Sequence, residues 1–123
     1  FPHSLHEMPM LLPTSATVLR RALEQWFDHL HIRPRVGGEF EDSALMKAFG
    51  ESGTAVFPAP TVIAAQVRRH YGVVAIGRTD EVRERYYALS AERRVTHPGV
   101  AALSKAARTE VFALAPRPSP PAR

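Results

Sequence analysis

The residues most able to do chemistry in this chain fall at three junctions: Thr14 and Ser15, then Glu41, Asp42 and Ser43, then Phe57-Pro58. The hydroxyls of Thr14, Ser15 and Ser43 donate and accept hydrogen bonds, and the carboxylates of Glu41 and Asp42 offer oxygens to amides or cations. Phe57-Pro58-Ala59 adds a ring and backbone groups. Each set follows a short apolar run and precedes a helical pattern, which is where alternating strands and helices gather ligand contacts. Caps and turns use the same residue types. A helix N-terminus nevertheless holds more free amides than one cap satisfies, so Thr14 and Ser15 are able to serve as both cap and contact.

Other chemistry finds no support in the spacing. Of the six histidines, His29 and His31 lie two apart and do not share a helix face, while His3 and His6 fall in an expected linker. No His-Glu-x-x-His pattern occurs, so no metal site is expected. The sequence has no glycine-rich phosphate loop and no nucleophile elbow, and with no cysteine thiolate catalysis is excluded. The run Glu39-Phe40-Glu41-Asp42 is read as caps and solvated neighbours of a strand-to-helix junction rather than as an acid–base pair. No catalytic residue and no cofactor are expected, and the chain is read as a non-enzyme.

The elements that must position these residues follow from periodicity. A first strand is predicted over Met8 to Leu12, and Thr14 or Ser15 caps the helix after it. That helix carries Leu19, Ala22, Leu23, Trp26, Phe27 and Leu30 on one face and ends before Pro34. Arg35 to Phe40 is a second strand, with Asp42 or Ser43 capping a helix that turns Leu45, Ala48 and Phe49 inward. Gly50 and Gly53 are its candidate stops. Ala55 to Phe57 is a third strand, Thr61 opens a helix through Tyr71, and Gly72 ends it. Strands are also predicted over Val73 to Ile76 and Arg83 to Leu89. Thr96-His97-Pro98 begins a last helix with Val100, Leu103, Ala107 and Val111 along one side. Strand–helix alternation predicts parallel strands with helical crossovers, hence an α/β fold. The tail from Pro116 to Pro121 reads as extended or disordered.

A length of 123 residues suits one hydrophobic core, and no apolar run is long enough to span a bilayer. The net charge of +4 is not gathered into a stripe. Arg20, Arg21, Arg33, Arg35, Arg68 and Arg69 are interleaved with Glu24, Asp28, Glu39, Glu41 and Asp42, which describes a mixed-charge surface rather than a nucleic-acid track. The lack of cysteine permits a reducing cytoplasm. With no initiator methionine and no signal-peptide pattern at Phe1, the sequence is expected to be a piece of a longer chain.

Several segments together resemble the second half of the effector-binding region of LysR-type transcriptional regulators. They are Leu11-Leu12-Pro13-Thr14, Leu19 to Phe27, Ile32-Arg33-Pro34-Arg35-Val36, Phe57-Pro58-Ala59-Pro60, Arg83 to Ala88 and His97-Pro98. The run from Glu39 to Gly50 is more specific and is similar to the NhaR-like group, activators of sodium/proton antiporter genes. The resemblance covers Met8 to about Phe112. It implies a type 2 periplasmic-binding-protein-like fold, in which residues 8–80 form a three-layer α/β/α Rossmann-like subdomain II. Residues 1–7 are then a linker, 81–113 a crossover strand and helix belonging to subdomain I, and 114–123 a proline-rich tail.

The resemblance further implies a cytoplasmic, homo-oligomeric regulator with no membrane partner. Its partners are a small-molecule or monovalent-ion effector, for this group sodium or lithium, and operator DNA. The DNA would be reached only through an N-terminal helix-turn-helix outside this sequence, and most of subdomain I lies outside it as well. Effector contacts are expected at Thr14, Ser15, Glu41, Asp42, Ser43, Phe57 and Pro58. The apolar face of the last helix, having lost its partner sheet, is expected to pack elsewhere on the chain or against a second copy. An alternative reading is a solute-binding protein of the periplasmic-binding-protein class, and a third is a small α/β enzyme domain completed by residues outside this sequence.

Overall fold

The computed structural model describes residues 1–87, 89 and 97–111. They fall into two compact units, Phe1–Arg85 and Tyr86–Arg123. The first is a mixed α/β body. Its strand β1, Pro9–Pro13, is buried along nearly its whole length. The unbroken run Met10-Leu11-Leu12 suits a strand covered on both faces. On one edge β1 pairs in parallel with β2, Arg35–Phe40, in a register running from Pro9 opposite Arg35 to Pro13 opposite Phe40. The register slips between Met10 and Leu11 because Gly37 is the extra residue on β2, a bulge. On the other edge Val56 bridges Met10, with Leu11 N donating to Val56 O (2.8 Å) and Val56 N to Pro9 O (2.9 Å).

The crossover between β1 and β2 is helix α1, Val18–His29. Its inward residues Leu23, Trp26 and Phe27 join Leu5, Met10, Leu12 and Ile32 in one buried cluster, with Leu19 and Leu30 packed against it. Strand alternation turns Leu11 away from Met10 and Leu12, and Leu11 is buried outside that cluster, as are Met46 and Val67. Met46 lies on α2, Ser43–Gly50, and Val67 on α3, Ala64–Tyr71. Gly72, at φ 63°, ends α3 in the left-handed conformation that glycine adopts freely.

Several boundaries differ from the sequence reading, each for a physical reason. Strand β1 begins and ends one residue later than Met8 to Leu12. Neither Thr14 nor Ser15 caps α1. Thr14 N extends the ladder to Phe40 O (3.1 Å), and the chain turns once before Thr17 caps the helix by accepting from Arg20 N (3.1 Å). The expected strand Ala55 to Phe57 shrinks to the Val56 bridge, because Pro58 and Pro60 lack the N–H groups that would extend it. The helix expected from Thr61 opens as a 3-10 turn, Thr61–Ile63, before α3.

The segment read as a linker holds a 3-10 turn, His3–Leu5, whose Leu5 is a core residue. Val73 to Ile76 carries no regular structure, and Val74 and Ile76 are exposed. Residues 83–87 and 89 likewise form no strand. Apolar alternation makes a strand only where a partner edge exists.

In the second unit α4, Pro98–Ala106, is capped by His97 with proline in its first turn, as expected, and the chain continues as a π-helical turn, Ala107–Val111. Val100, Leu103 and Val111 are exposed. Ala88 and the proline-rich tail lie outside the described residues. No described helix is long and apolar enough to cross a membrane.

Candidate ligand-binding edge at the strand ends

Because β1 and β2 run parallel, their carboxyl ends share one edge. Thr14 and Ser15 leave β1 there, and Glu41, Asp42 and Ser43 leave β2 beside them, tied by the Thr14 N to Phe40 O bond. Phe57 and Pro58 follow Val56 on the far side of β1. The first two sequence-predicted sets are thus brought to one end of a parallel ladder, whereas Phe57 and Pro58, just past the Val56–Met10 bridge, run beside the body of β1. Thr14 is half-buried and Ser15 exposed, and neither hydroxyl is bonded among the described residues. Thr14 O is occupied by Thr17 N (3.1 Å) and Thr17 Oγ1 (3.0 Å), which fixes the turn and leaves the Thr14 side chain available.

At the second junction the roles separate. Asp42 is the cap of α2, its Oδ1 accepting from Ala44 N (2.7 Å). Ser43 is the first residue of that helix, and both its carbonyl and its Oγ accept from Lys47 Nζ at 3.2 Å. A cation sought at Ser43 would meet an ammonium already bonded to both oxygens. Ser43 is therefore poorly suited to sodium or lithium, and it is Glu41 and Asp42 that offer carboxylates at this corner.

Phe57 is seated by Gly50, at the end of α2, whose missing side chain makes room for the ring; a Cβ there would overlap it. Phe40 and Phe49 pack nearby at 5.2 Å between ring centroids. Gly50→Ala is expected to gain about 1 kcal/mol of helix propensity and lose about 2 kcal/mol to overpacking. The net result is a fold destabilised by about 1 kcal/mol and a displaced Phe57, read by thermal denaturation and the Phe57 ring NMR signals.

Arg20, whose burial the sequence does not signal, braces this edge from beneath. It is only 7% exposed. Its Nη1 donates to Pro13 O (2.9 Å), the last carbonyl of β1, and to Glu39 on β2 (2.7 Å), while Nε donates to Glu24 (2.8 Å). Burial alone would lower its pKa. The hydrogen bonds to Glu39 and Glu24 and their charges outweigh it, and the guanidinium is held above its ordinary value. The one sequence signal is position: Arg20 sits three residues before Leu23, at the N-terminal end of the buried face of α1. Lys47 carries no such signal: the expected inward face of α2 is Leu45, Ala48 and Phe49, which are exposed, and it is Met46, Lys47 and Gly50 that are buried.

The LysR substrate binding domain family matches residues 2–111. The transcriptional activator protein NhaR of Escherichia coli (strain K12) is 39% identical over 117 residues, 95% of this chain and 39% of that protein. NhaR of Shigella flexneri matches to the same extent. The chain thus spans about two fifths of the length of these curated relatives. No solved structure matches it to the same standard. With the family covering nearly all of the chain and the parallel strand ends in place, this chain belongs to the LysR substrate-binding domain family.

Proposed function

We propose that the chain is the effector-sensing part of a LysR-type transcriptional activator, in which a small-molecule or monovalent-ion effector contacts Thr14, Ser15, Glu41, Asp42, Ser43, Phe57 and Pro58. The observation that supports this reading is the convergence of Thr14, Ser15, Glu41, Asp42 and Ser43 at the carboxyl ends of β1 and β2, in a chain 39% identical to an activator over 95% of its length. The body around them is taken as subdomain II of a type 2 periplasmic-binding-protein-like fold, a three-layer α/β/α arrangement. The second unit is taken as a crossover belonging to subdomain I. Effector binding would favour one subdomain arrangement over another by its differential affinity for the two. Operator DNA would be held by parts of the regulator outside these residues, and the regulator would act in the cytoplasm as a homo-oligomer.

The test is a promoter–reporter assay with the intact regulator carrying Thr14→Val. The substitution removes a hydroxyl bonded to nothing in the described residues and keeps the shape of the side chain. Losing one buried contact to a ligand is worth about 1–2 kcal/mol. The inducer concentration for half-maximal response should therefore rise about tenfold, with operator affinity in the absence of inducer unchanged. An unaltered induction curve for Thr14→Val and for Phe57→Ala alike would remove the strand-end site.

A further inference from the structure

We propose that His6 is a pH-sensitive latch: its neutral imidazole fastens the segment ahead of β1 to the start of β2, and protonation releases it. The two segments pair backbone to backbone just ahead of the β1–β2 ladder. Arg35 N donates to Met8 O (3.0 Å), and Glu7 N donates to Arg33 O (2.9 Å). The next donor back, Arg33 N, meets a side chain instead of a backbone carbonyl. It donates to His6 Nδ1 (3.2 Å) and has no other acceptor among the described residues. An imidazole ring thus closes the end of this pairing.

A histidine nitrogen accepts a hydrogen bond only in the neutral ring. Here Nδ1 must be bare, so the single ring proton sits on Nε2. A second proton turns Nδ1 into a donor that faces another donor, and the bond is lost. Histidine is the side chain whose ordinary charge change falls between about pH 5 and 8, so the release needs no extreme pH. Arg33 and Arg35 are both cations beside this point, and an imidazolium joins them as a third positive charge, which favours separation once the proton is on. The entering segment also carries His3 and Glu7, and the end of α1 and the turn after it carry Asp28, His29 and His31. None of the carboxylates is ion-paired to His6 among the described residues.

The backbone next to the latch is strained. Glu7 has φ 60° without being glycine. A non-glycine residue stays in that left-handed region only where its surroundings hold it there. Glu7 is held at its amide by Arg33 O and at its carbonyl by Arg35 Nε (3.0 Å), and the His6 bond is the third tie on the same short stretch. On the other side Leu5 is anchored in the core. Release is therefore local, freeing residues 6 and 7 from Arg33 while the α/β body stays folded. It holds whether or not the strand-end residues bind an effector.

The experiment is NMR on the isotope-labelled full chain. A through-hydrogen-bond coupling between the Arg33 amide nitrogen and His6 Nδ1 is expected at about pH 8 and should vanish by about pH 5. Over that range the protection of the Arg33 amide, corrected for intrinsic exchange, should fall about threefold, with a midpoint that follows the His6 ring signals. The Ile32 amide, bonded to Phe27 O, should keep its protection throughout. His6→Asn places a carbonyl oxygen where Nδ1 stands and does not titrate, so its Arg33 amide should be equally protected at both ends of the range. His6→Ala should lack that protection at both. The latch is overturned if no coupling is seen at about pH 8, if Arg33 protection is flat with pH, or if His6→Asn keeps the parent's pH response. The first two results are read in the unaltered chain and do not depend on how well a variant folds. The third would assign the response to the other titratable groups around the turn.

Discussion

Ile32→Ala is expected to destabilise the first unit by about 3 kcal/mol. Ile32 is the most completely buried large side chain, at 2% exposure, and it locks the end of α1 to the start of β2. Its amide donates to Phe27 O (2.8 Å), and its side chain sits in the cluster with Leu5, Leu12, Leu23, Trp26 and Phe27. Truncation removes most of that side chain and leaves a cavity that a parallel ladder on one side and a helix on the other do not readily close. For a domain of this size, with total stability of roughly 5–15 kcal/mol, the loss should lower the melting temperature by more than about 10 °C. Val36→Ala is the control: Val36 is 53% exposed, and its loss should stay within about 0.5 kcal/mol. Equal effects at the two positions would contradict the assignment of the core.

Arg20→Met should cost about 2 kcal/mol and loosen the ligand edge at the same time. Most of the cost comes from Pro13 O, a buried carbonyl that would lose the guanidinium donor, worth about 1–3 kcal/mol when left unsatisfied. Glu39 and Glu24 are each about half exposed, so losing their pairings adds little. Arg20→Lys should recover only part of the loss, because one ammonium cannot reproduce a fork spanning Pro13, Glu39 and Glu24. The pH dependence follows from the direction of the shift. A cation with a raised folded pKa contributes its full stability below the unfolded pKa and loses it as pH rises through the folded value. For a guanidinium both lie above the working range. The stability lost in Arg20→Met should therefore show no alkaline decline through about pH 10, measured as the difference between the two chemical-denaturation midpoints.

Much of this is legible in the residues because the pattern is local. The α1 face emerges from the spacing of Leu19, Leu23, Trp26, Phe27 and Leu30, and β2 forms over the residues where it is expected. Asp42 is one of two candidate caps for α2 and is the one that caps it. What fails is not local. Val73 to Ile76 and residues 83–87 and 89 have strand-like composition, but composition alone does not make a strand. Leu5 sits in a polar, proline-containing segment, and only the packing of α1 shows that it belongs to the core.

The candidate site divides in the same way. Thr14, Ser15, Glu41, Asp42 and Ser43 are legible as strand-end residues, since parallel topology alone sends them to one edge, whereas Phe57 and Pro58 run beside the body of β1 because Val56 pairs with Met10 near its start. Arg20 and Lys47 are not. A cation on a helix reads as a solvated residue, and its burial is decided by the ladder and helices around it. The family resemblance read from Glu39 to Gly50 and its neighbouring segments is the family that the comparisons identify.

The most direct test of the central claim is hydrogen exchange of the intact regulator with and without an inducer chosen by the reporter assay. Residues 13–17 and 41–46 should gain protection on binding, while residues 30–35, leading into the opposite end of β2, should not change. Protection confined to residues 30–35, or to neither end, would contradict a ligand edge at the carboxyl ends of β1 and β2.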